Sequence, residues 1–322
     1  MAFVHYHKKP ELRSPIVVAA FSGWNDAAEA ATTAVKFLID RWKTVCIAEI
    51  EAEEFYVFNE SRPTVQTKKG QVRSISWPTN RFYAFVDPIW ERDVILFTGV
   101  EPQLKWKTFS SAFMEVCKRF NVSEVLLLGA FLANIPHTRD VPVTGYSSTP
   151  EMLERMDEIN VQGSRYEGPT GITGVIHDAI SRAKIPVSSL WAAAPHYLVA
   201  TPNIKVTSAL LTYLNTFLAF DLDLSDFQND AIRFEEQISA LVARDPEASA
   251  YVRKLESETE SMLAGDEEDE EDEDKDENAR ITPDKPPVSG PLPSADSLIR
   301  SVEELLRNER KNNHSDSDEE QE

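Results

Sequence analysis

The segment from residue 16 to residue 38 constrains the fold of this chain more than any other. Ile16–Phe21 is an uninterrupted apolar run, which is typical of a strand covered on both faces of a sheet. Ser22–Asn25 interrupts the run, and Asp26–Glu29 has the pattern of a capping box that opens a helix. This helix is expected to bury one stripe of mostly small residues: Ala27, Ala31, Ala34 and Leu38. The turn therefore follows the carboxyl end of a strand, where open α/β sheets bind ligands.

Strands and helices alternate along the following residues, which predicts an α/β fold with a mainly parallel sheet. Apolar runs predict further strands at 44–51, 94–98, 124–128, 141–146 and 187–194. Val72–Trp77 and Arg81–Val86 are expected to form a hairpin around Pro78–Asn80. Helical spacing predicts helices around 109–120, over 150–158, after Gly168–Gly174 with the apolar face Ile172, Ile176, Ala179 and Ala183, and over 205–220.

The composition changes after residue 222 and divides the chain into five predicted segments. Residues 1–222 form the α/β core domain, and residues 223–264 form a helical hairpin that restarts at Asp245-Pro246. Residues 265–296 are expected to be a disordered acidic and Pro-rich linker, because they lack residues that build a core. Residues 297–311 are expected to form a short amphipathic helix that docks on the body, followed by a disordered acidic tail over 312–322.

The charge of the chain is concentrated in its last third. The net charge is −21, and residues 266–278 carry eleven acidic residues against Lys275 alone. Such an acidic chain is not expected to bind nucleic acid without regard to sequence. No apolar run reaches the length of a membrane span and no secretion signal is evident, so a cytoplasmic protein without membrane contact is predicted. Cys46 and Cys117 lie in apolar runs, which favours reduced core thiols.

Polar residues and glycines follow several of the predicted strands and form a candidate ligand pocket. The Gly168–Gly174 loop precedes a helix and can either cradle an anion or make a tight turn with close helix packing. Asn25 and Asp26 are either pocket residues or helix caps, and Trp24 either stacks on a ring or anchors the sheet edge. The histidine spacing does not indicate a zinc site, and neither a metal nor a cofactor is predicted. The candidate residues are Ser22, Gly23, Trp24, Asn25, Asp26, Glu101, Arg139, Glu167, Gly168, Thr170, Gly171 and His196.

Four short motifs occur in an order that resembles one known family. They are the segments 21–27 (FSGWNDA), 99–102 (GVEP), 168–172 (GPTGI) and 195–197 (PHY). Together they resemble the proteasome assembly chaperone family, of the second-subunit type and its bacterial, actinobacterial-like branch. The resemblance implies a three-layer α/β sandwich related to nucleoside phosphorylases. It also implies relatives that hold proteasome α-subunits without catalysis, helped by a C-terminal hydrophobic-Tyr-any tripeptide, whereas this sequence ends Glu320-Gln321-Glu322.

Two functions remain open at the level of sequence. The first is a non-enzymatic, chaperone-like assembly protein that binds an unknown protein partner and forms a homo-oligomer. The second is a small-molecule enzyme of the nucleoside phosphorylase or hydrolase type. In that enzyme the Gly168–Gly174 loop would bind an anion, Glu101 or Glu167 would contact a ribose-like hydroxyl, and His196 would serve as acid or base.

Overall fold

The computed structural model describes residues 3–68, 72–86, 90–164, 166–199 and 202–265. The strands are β1 (Val4–Tyr6), β2 (Ile16–Ser22), β3 (Val45–Ile50), β4 (Thr64–Lys68), β5 (Val72–Ser76), β6 (Arg81–Phe85), β7 (Val94–Val100), β8 (Glu124–Ala133), β9 (Val143–Ser147), β10 (Gln162–Gly163) and β11 (Val187–Pro195). The helices are α1 (Ala30–Arg41), α2 (Trp106–Arg119), α3 (Pro150–Glu158), α4 (Ile172–Arg182), α5 (Ile204–Leu218), α6 (Ser225–Val242) and α7 (Pro246–Gly265). Among these residues, no helix combines the length and apolarity needed to cross a membrane.

Nine strands form one mixed sheet in the order β1-β3-β6-β7-β2-β8-β11-β9-β10. The four central strands β7, β2, β8 and β11 are parallel to one another. On one flank, β1, β3, β6 and β7 pair antiparallel, and on the other flank β9 pairs antiparallel with β11. The prediction of an α/β fold is therefore confirmed, and its parallel pairing applies to the centre of the sheet.

The predicted hairpin of residues 72–77 and 81–86 is wrong. β5 instead pairs with β4 in a separate two-stranded ribbon, and β6 enters the main sheet between β3 and β7. Phe82 and Ala84 of β6 are buried, so this strand requires a covered sheet rather than a free hairpin. Asn80 is also buried, and its Oδ1 accepts hydrogen bonds from the Tyr56 hydroxyl at 2.8 Å and from the Val100 amide at 3.1 Å. Residues 78–80 thus link β5 to β6 along the chain, but Asn80 is hydrogen-bonded to the end of β7, and the segment is not a hairpin turn.

Apolar side chains pack on both faces of the central sheet. Alternate residues of β2 point to opposite faces, with Val17 and Ala19 in the cluster that includes α2 and α4. Val18 and Ala20 belong to the cluster that includes α1 and α5. The buried apolar residues of α4 are Ile172, Ile176 and Ile180. Ala179 is half-buried beside them, whereas Ala183 is exposed, so its expected place on the apolar face is wrong.

The last two described helices cover the loops that follow β8 and β11. α7 begins at the predicted proline, and the Asp245 carboxylate accepts hydrogen bonds from the amides of Glu247 and Ala248 at 2.9 and 3.2 Å. Apolar residues of both helices pack against Tyr197 and Leu198: Phe234, Ile238, Val252 and Leu255. The linker, docking helix and tail predicted beyond residue 265 lie outside the described residues, and the domain boundary at 222 stays a prediction.

Candidate functional site

The four parallel central strands end at one edge of the sheet, which we call the carboxyl rim. It is formed by the last residues of β2, β7, β8 and β11, which are Ser22, Val100, Ala133 and Pro195. The candidate residues from Ser22 to Asp26 end or follow β2, and Glu101 follows β7. Arg139 and His196 follow β8 and β11, and the loop 167–171 leads into α4. Contacts divide these residues into two groups along the rim.

The first group joins the turns after β2 and β7 to the start of α4. Glu101 Oε1 accepts a hydrogen bond from Asn25 Nδ2 at 2.7 Å and another from the backbone N–H of Ile172 at 2.8 Å. The Glu101 amide donates to the Ser22 carbonyl at 2.9 Å. A carboxylate at the first N–H groups of a helix is stabilised by the helix dipole. Glu101 therefore caps α4 and occupies the position where the glycine loop was expected to offer N–H groups to an anion.

Gly171 permits the close approach of α4 to Asn25. A Cβ atom at Gly171 would lie 2.2 Å from Asn25 Oδ1, far inside van der Waals contact. Asn25 is fully buried, and its Oδ1 has no hydrogen-bond partner among the described residues. The orientation of the amide is set by Glu101, whose carboxylate can only accept from Nδ2. The contact with Asn25 therefore supports the interpretation that Gly171 serves close helix packing.

Asp26 caps α1 in a different way from the predicted capping box. The helix begins at Ala30, because Ala28 and Glu29 adopt left-handed backbone angles with φ of 52°. Asp26 Oδ1 accepts from the amides of Ala31 and Thr32 at 2.7 and 3.2 Å, and Oδ2 accepts from the Thr32 hydroxyl at 2.5 Å. Glu29 is exposed and does not complete a box. Burial raises the pKa of Asp26 to about 6, although the Thr32 and Ala31 hydrogen bonds oppose the rise.

An open cleft of about 370 Å³ adjoins the first group. Its lining includes Ser22, Gly23 and Glu101 from the predicted pocket, together with Ser61, Gln103 and Trp106. Gly23 has φ of +121°, and a Cβ atom there would lie 3.1 Å from Glu101 Cβ. The turn after β2 therefore depends on glycine both for its backbone angle and for its approach to Glu101. Trp24, Glu167, Gly168 and Thr170 are exposed.

The second group contacts the C-terminal helices. Arg139 forms an ion pair with Glu260 of α7. His196 Nε2 lies 3.0 Å from the Tyr251 hydroxyl of the same helix, and its Nδ1 lies 3.4 Å from the Ala133 carbonyl oxygen. Burial lowers the pKa of His196. Arg139 and His196 are thus engaged by α7, whereas Asn25 and Glu101 contact α4.

Sequence reasoning missed the role of His137, which lies beneath α6. Its Nδ1 is 2.8 Å from the Tyr197 hydroxyl and its Nε2 is 3.1 Å from Ser239 Oγ. Lys205 Nζ donates to the His137 carbonyl at 2.6 Å and to Glu235 at 2.5 Å. Burial lowers the pKa of His137 to about 4. The partners are 60 and 102 residues away in the chain, so no local spacing indicated this network.

The described residues offer little for metal binding at the rim or elsewhere. Within them, no three histidine, cysteine, aspartate or glutamate side chains gather closely enough to hold an ion. The two thiols are free, and burial raises the pKa of Cys117 to about 12. The arrangement at the rim provides hydrogen-bonded caps and ion pairs, together with an open cleft.

Comparison with known proteins identifies the family. Residues 20–242 match the model of the PAC2 family. The chain belongs to the PAC2 family. The predicted resemblance to proteasome assembly chaperones is therefore confirmed, including its bacterial, actinobacterial branch. The family match ends with the last residue of α6, so α7 and its contacts to Arg139 and His196 lie beyond it.

Solved structures of other proteins share this fold. A PAC2 family protein from Streptomyces avermitilis is 40% identical, with a TM-score of 0.67, and the match covers 74% of this chain and 99% of that one. A Mycobacterium tuberculosis proteasome-assembly chaperone homologue gives the same identity, coverages and TM-score. Pyrococcus furiosus PbaB, an archaeal proteasome activator, is 17% identical with a TM-score of 0.60 over 74% of this chain and 97% of its own. No relative was found among curated protein sequences.

Proposed function

We propose that this PAC2 protein is a non-enzymatic, chaperone-like assembly protein that binds other protein chains at the carboxyl rim. One observation carries the proposal. Each of the four parallel strands ends at or leads into a large apolar residue that is exposed to solvent: Trp24 at 55%, Leu104 at 44%, Leu132 at 45% and Val199 at 36%. Exposed apolar residues that gather at one edge are typical of interaction sites.

The polar residues at the rim support the same conclusion. Asp26 caps α1 and Glu101 caps α4, while Arg139 and His196 contact α7. A general acid or base has to reach a bound substrate, and these groups are already occupied by partners within the chain. The apolar residues, by contrast, lose water and gain contacts only when another molecule covers them.

The relatives suggest the class of partner. One is described as a proteasome-assembly chaperone homologue and another as a proteasome activator. We therefore propose proteasome subunits as partners of a cytoplasmic homo-oligomer. In this proposal the three-layer α/β sandwich holds the rim rigid, and the helical hairpin of α6 and α7 supports the loops after β8 and β11.

The test uses the full chain and purified proteasome α-type subunits from the same organism. Light scattering measures the size of the chain alone and of the mixture, and titration measures the affinity. We expect a complex whose affinity falls about tenfold or more in the double variant Trp24→Ala/Leu132→Ala, because aromatic and aliphatic anchors dominate protein interfaces. Leu153→Ala is the matched control, since Leu153 is 41% exposed but lies on α3.

A complex that the double variant leaves intact would contradict binding at the rim. The absence of any complex with proteasome subunits would contradict the proposed partner. If both variants unfold at the same temperature as the wild type, a change in affinity is not caused by misfolding.

The cleft beside Glu101 favours one alternative, a small-molecule enzyme of the nucleoside phosphorylase or hydrolase type. A cleft of about 370 Å³ lies at the lower end of the size range of small-molecule sites. The capping of α4 by Glu101 argues against anion binding by the glycine loop, because the carboxylate already takes the Ile172 N–H. Thermal unfolding with nucleosides and phosphate distinguishes the two functions.

A further inference from the structure

The ribbon of β4 and β5, which we call the arm, presents an apolar surface that the sheet does not cover. Val65 pairs directly with Ile75, so the two side chains share one face of the arm. Val65 is 63% exposed and Ile75 is 60% exposed. At the base of the arm the Trp77 ring packs against Phe58 with centroids 4.8 Å apart. A ribbon of two strands is marginally stable alone, so covering this face would stabilise it.

The arm is also basic, in contrast to the rest of the chain. Residues 62–73 contain four basic residues and no acidic residue, although the whole chain has a net charge of −21. Arg62 and Arg73 are exposed, and neither forms an ion pair with another described residue. Arg73 lies two positions before Ile75 and therefore on the same face of the strand. This face thus combines two adjacent apolar side chains with a guanidinium group.

We propose that the arm binds the acidic segment of the same chain, residues 266–278. This segment carries eleven acidic residues against one lysine and follows α7 directly. Opposite charges on two parts of one chain attract at a high effective concentration. The segment would pair its carboxylates with Arg62 and Arg73 and would cover Val65 and Ile75 with its backbone and methylene groups.

The path of the chain makes this contact sterically accessible. β3 ends and β6 begins at the carboxyl rim, so the arm between them leaves the sheet at that edge. The ion pair of Glu260 with Arg139 holds the end of α7 near the loop that follows β8, at the same edge. β8 and β6 are separated by β2 and β7, which corresponds to about 14 Å across the sheet. The acidic segment has thirteen residues and spans about 45 Å when extended.

The experiment measures the distance between the arm and the acidic segment in the full chain. Fluorescent labels are attached at Ser74→Cys and Asn278→Cys in a Cys46→Ser background, since Cys117 is buried and unreactive. Ser74 pairs with Gln66, on the face of the arm opposite to Val65 and Ile75, so its label leaves the proposed contact free.

Salt gives opposite results for a bound and an unbound segment. We expect the energy transfer to fall about twofold between about 0.1 M and about 1 M salt, because the Debye length shrinks from about 10 Å to about 3 Å. A free acidic segment would instead contract as its self-repulsion is screened, and the transfer would rise or stay constant.

Charge reversal identifies the site. Arg62→Glu/Arg73→Glu is expected to abolish the salt-sensitive transfer. The control Lys118→Glu/Lys184→Glu makes the same change in charge at the end of α2 and in the loop before β11, on the opposite edge of the sheet, and is expected to preserve the transfer. Equal transfer in both double variants, or transfer that increases with salt, would overturn the proposal. Transfer between singly labelled copies would also overturn it, because the arm would then bind a second chain.

Discussion

At the scale of single residues, some backbone positions at the rim lie so close to neighbouring side chains that a Cβ atom does not fit without displacing them. Gly171 is the clearest example, because its backbone lies against the buried amide of Asn25. Its φ of −90° is open to any residue, so a substitution there reports on space alone.

Gly171→Ala is predicted to lower the free energy of unfolding by about 1–3 kcal/mol, as overpacked core positions do. The new methyl group has to displace Asn25 and weaken its hydrogen bond to Glu101. Urea unfolding measures the change. Gly163→Ala is the control, since no atom lies within 4 Å of a Cβ placed there. Equal stability of the two variants would contradict the contact.

The buried carboxyl group of Asp26 leads to a second prediction for a single residue, which concerns how the free energy of unfolding depends on pH. Its pKa is about 6 in the folded protein and near 3.8 without the fold, so the unfolded chain releases this proton first. Between about pH 4 and pH 6 the free energy of unfolding therefore falls as the pH rises. Asp26→Asn is expected to remove this fall, which amounts to about 3 kcal/mol. The asparagine oxygen can still accept the hydrogen bond from the Ala31 amide. Exposed Glu11→Gln, which lies before β2 and away from Asp26, serves as the control. An unchanged slope in Asp26→Asn would refute the assignment.

At the scale of elements, α6 and α7 are attached to the body by a small apolar cluster and a polar network. Ile238 is fully buried in that cluster, between Tyr197 and Leu198 of the sheet edge and Val252 and Leu255 of α7. The first turn of α6 also contacts the body, because Phe227 packs against Phe37 of α1. The rest of α6 and α7 packs in the smaller cluster and is expected to open independently of the central strands.

Ile238→Ala is predicted to lower the protection of α6 and α7 from hydrogen exchange by about 2–5 kcal/mol, as large-to-small core substitutions do. Protection of β2 and β8 is expected to stay the same. Ile232→Ala on the same helix is the control, because Ile232 is 57% exposed. An equal loss of protection in α6 and β8 would show that the helices and the sheet unfold as one unit.

His137 makes the docking of α6 sensitive to acid. The unfolded chain binds a proton at His137 near pH 6.5, whereas the folded chain does so only near pH 4, since burial and Lys205 outweigh Glu235 and Glu256. The free energy of unfolding therefore rises with pH through this window, in the direction opposite to the Asp26 effect. His137→Gln is expected to reduce the loss of stability on acidification by up to about 3 kcal/mol. Exposed His5→Gln serves as control, and identical acid profiles would contradict the prediction.

At the scale of the whole molecule, the parallel centre of the sheet gives the protein one edge where loops from distant parts of the chain meet. This edge carries the exposed residues Trp24, Leu104, Leu132 and Val199, and the arm leaves the sheet there as well. The distribution favours a surface that binds macromolecules over a closed catalytic pocket.

A panel of nucleosides, nucleotides and inorganic phosphate is therefore predicted to leave the thermal unfolding of the full chain unchanged. A specific ligand at a hundred times its Kd would add about 2.7 kcal/mol, which calorimetry detects easily. Sulfate at equal ionic strength controls for general salt effects. A rise produced by one nucleoside alone would instead support the enzymatic alternative.

Local sequence was sufficient where the signal for an element lies inside that element. The helix over Pro150–Glu158 was predicted to the residue, because proline opens it after Thr149, whose hydroxyl accepts the Met152 amide at 3.4 Å. The start of α1 was wrong because left-handed angles at Ala28 and Glu29 are imposed by the contact of the turn with β8, where Ala130 N–H bonds the Asn25 carbonyl. The helix propensities of these residues contain no information about a contact with a distant strand.

The sequence by itself determined the class of the fold, the buried central strands, the position of the proline-initiated helices and the family, because apolar periodicity and short ordered motifs are local properties of the chain. Only the tertiary structure decided which strand β5 pairs with and which rim residues touch. Glu101 caps α4 from 71 residues away and Arg139 pairs with Glu260 from 121 residues away. Contacts at such separations arise from the packing of the whole sheet, and no window of sequence contains both partners.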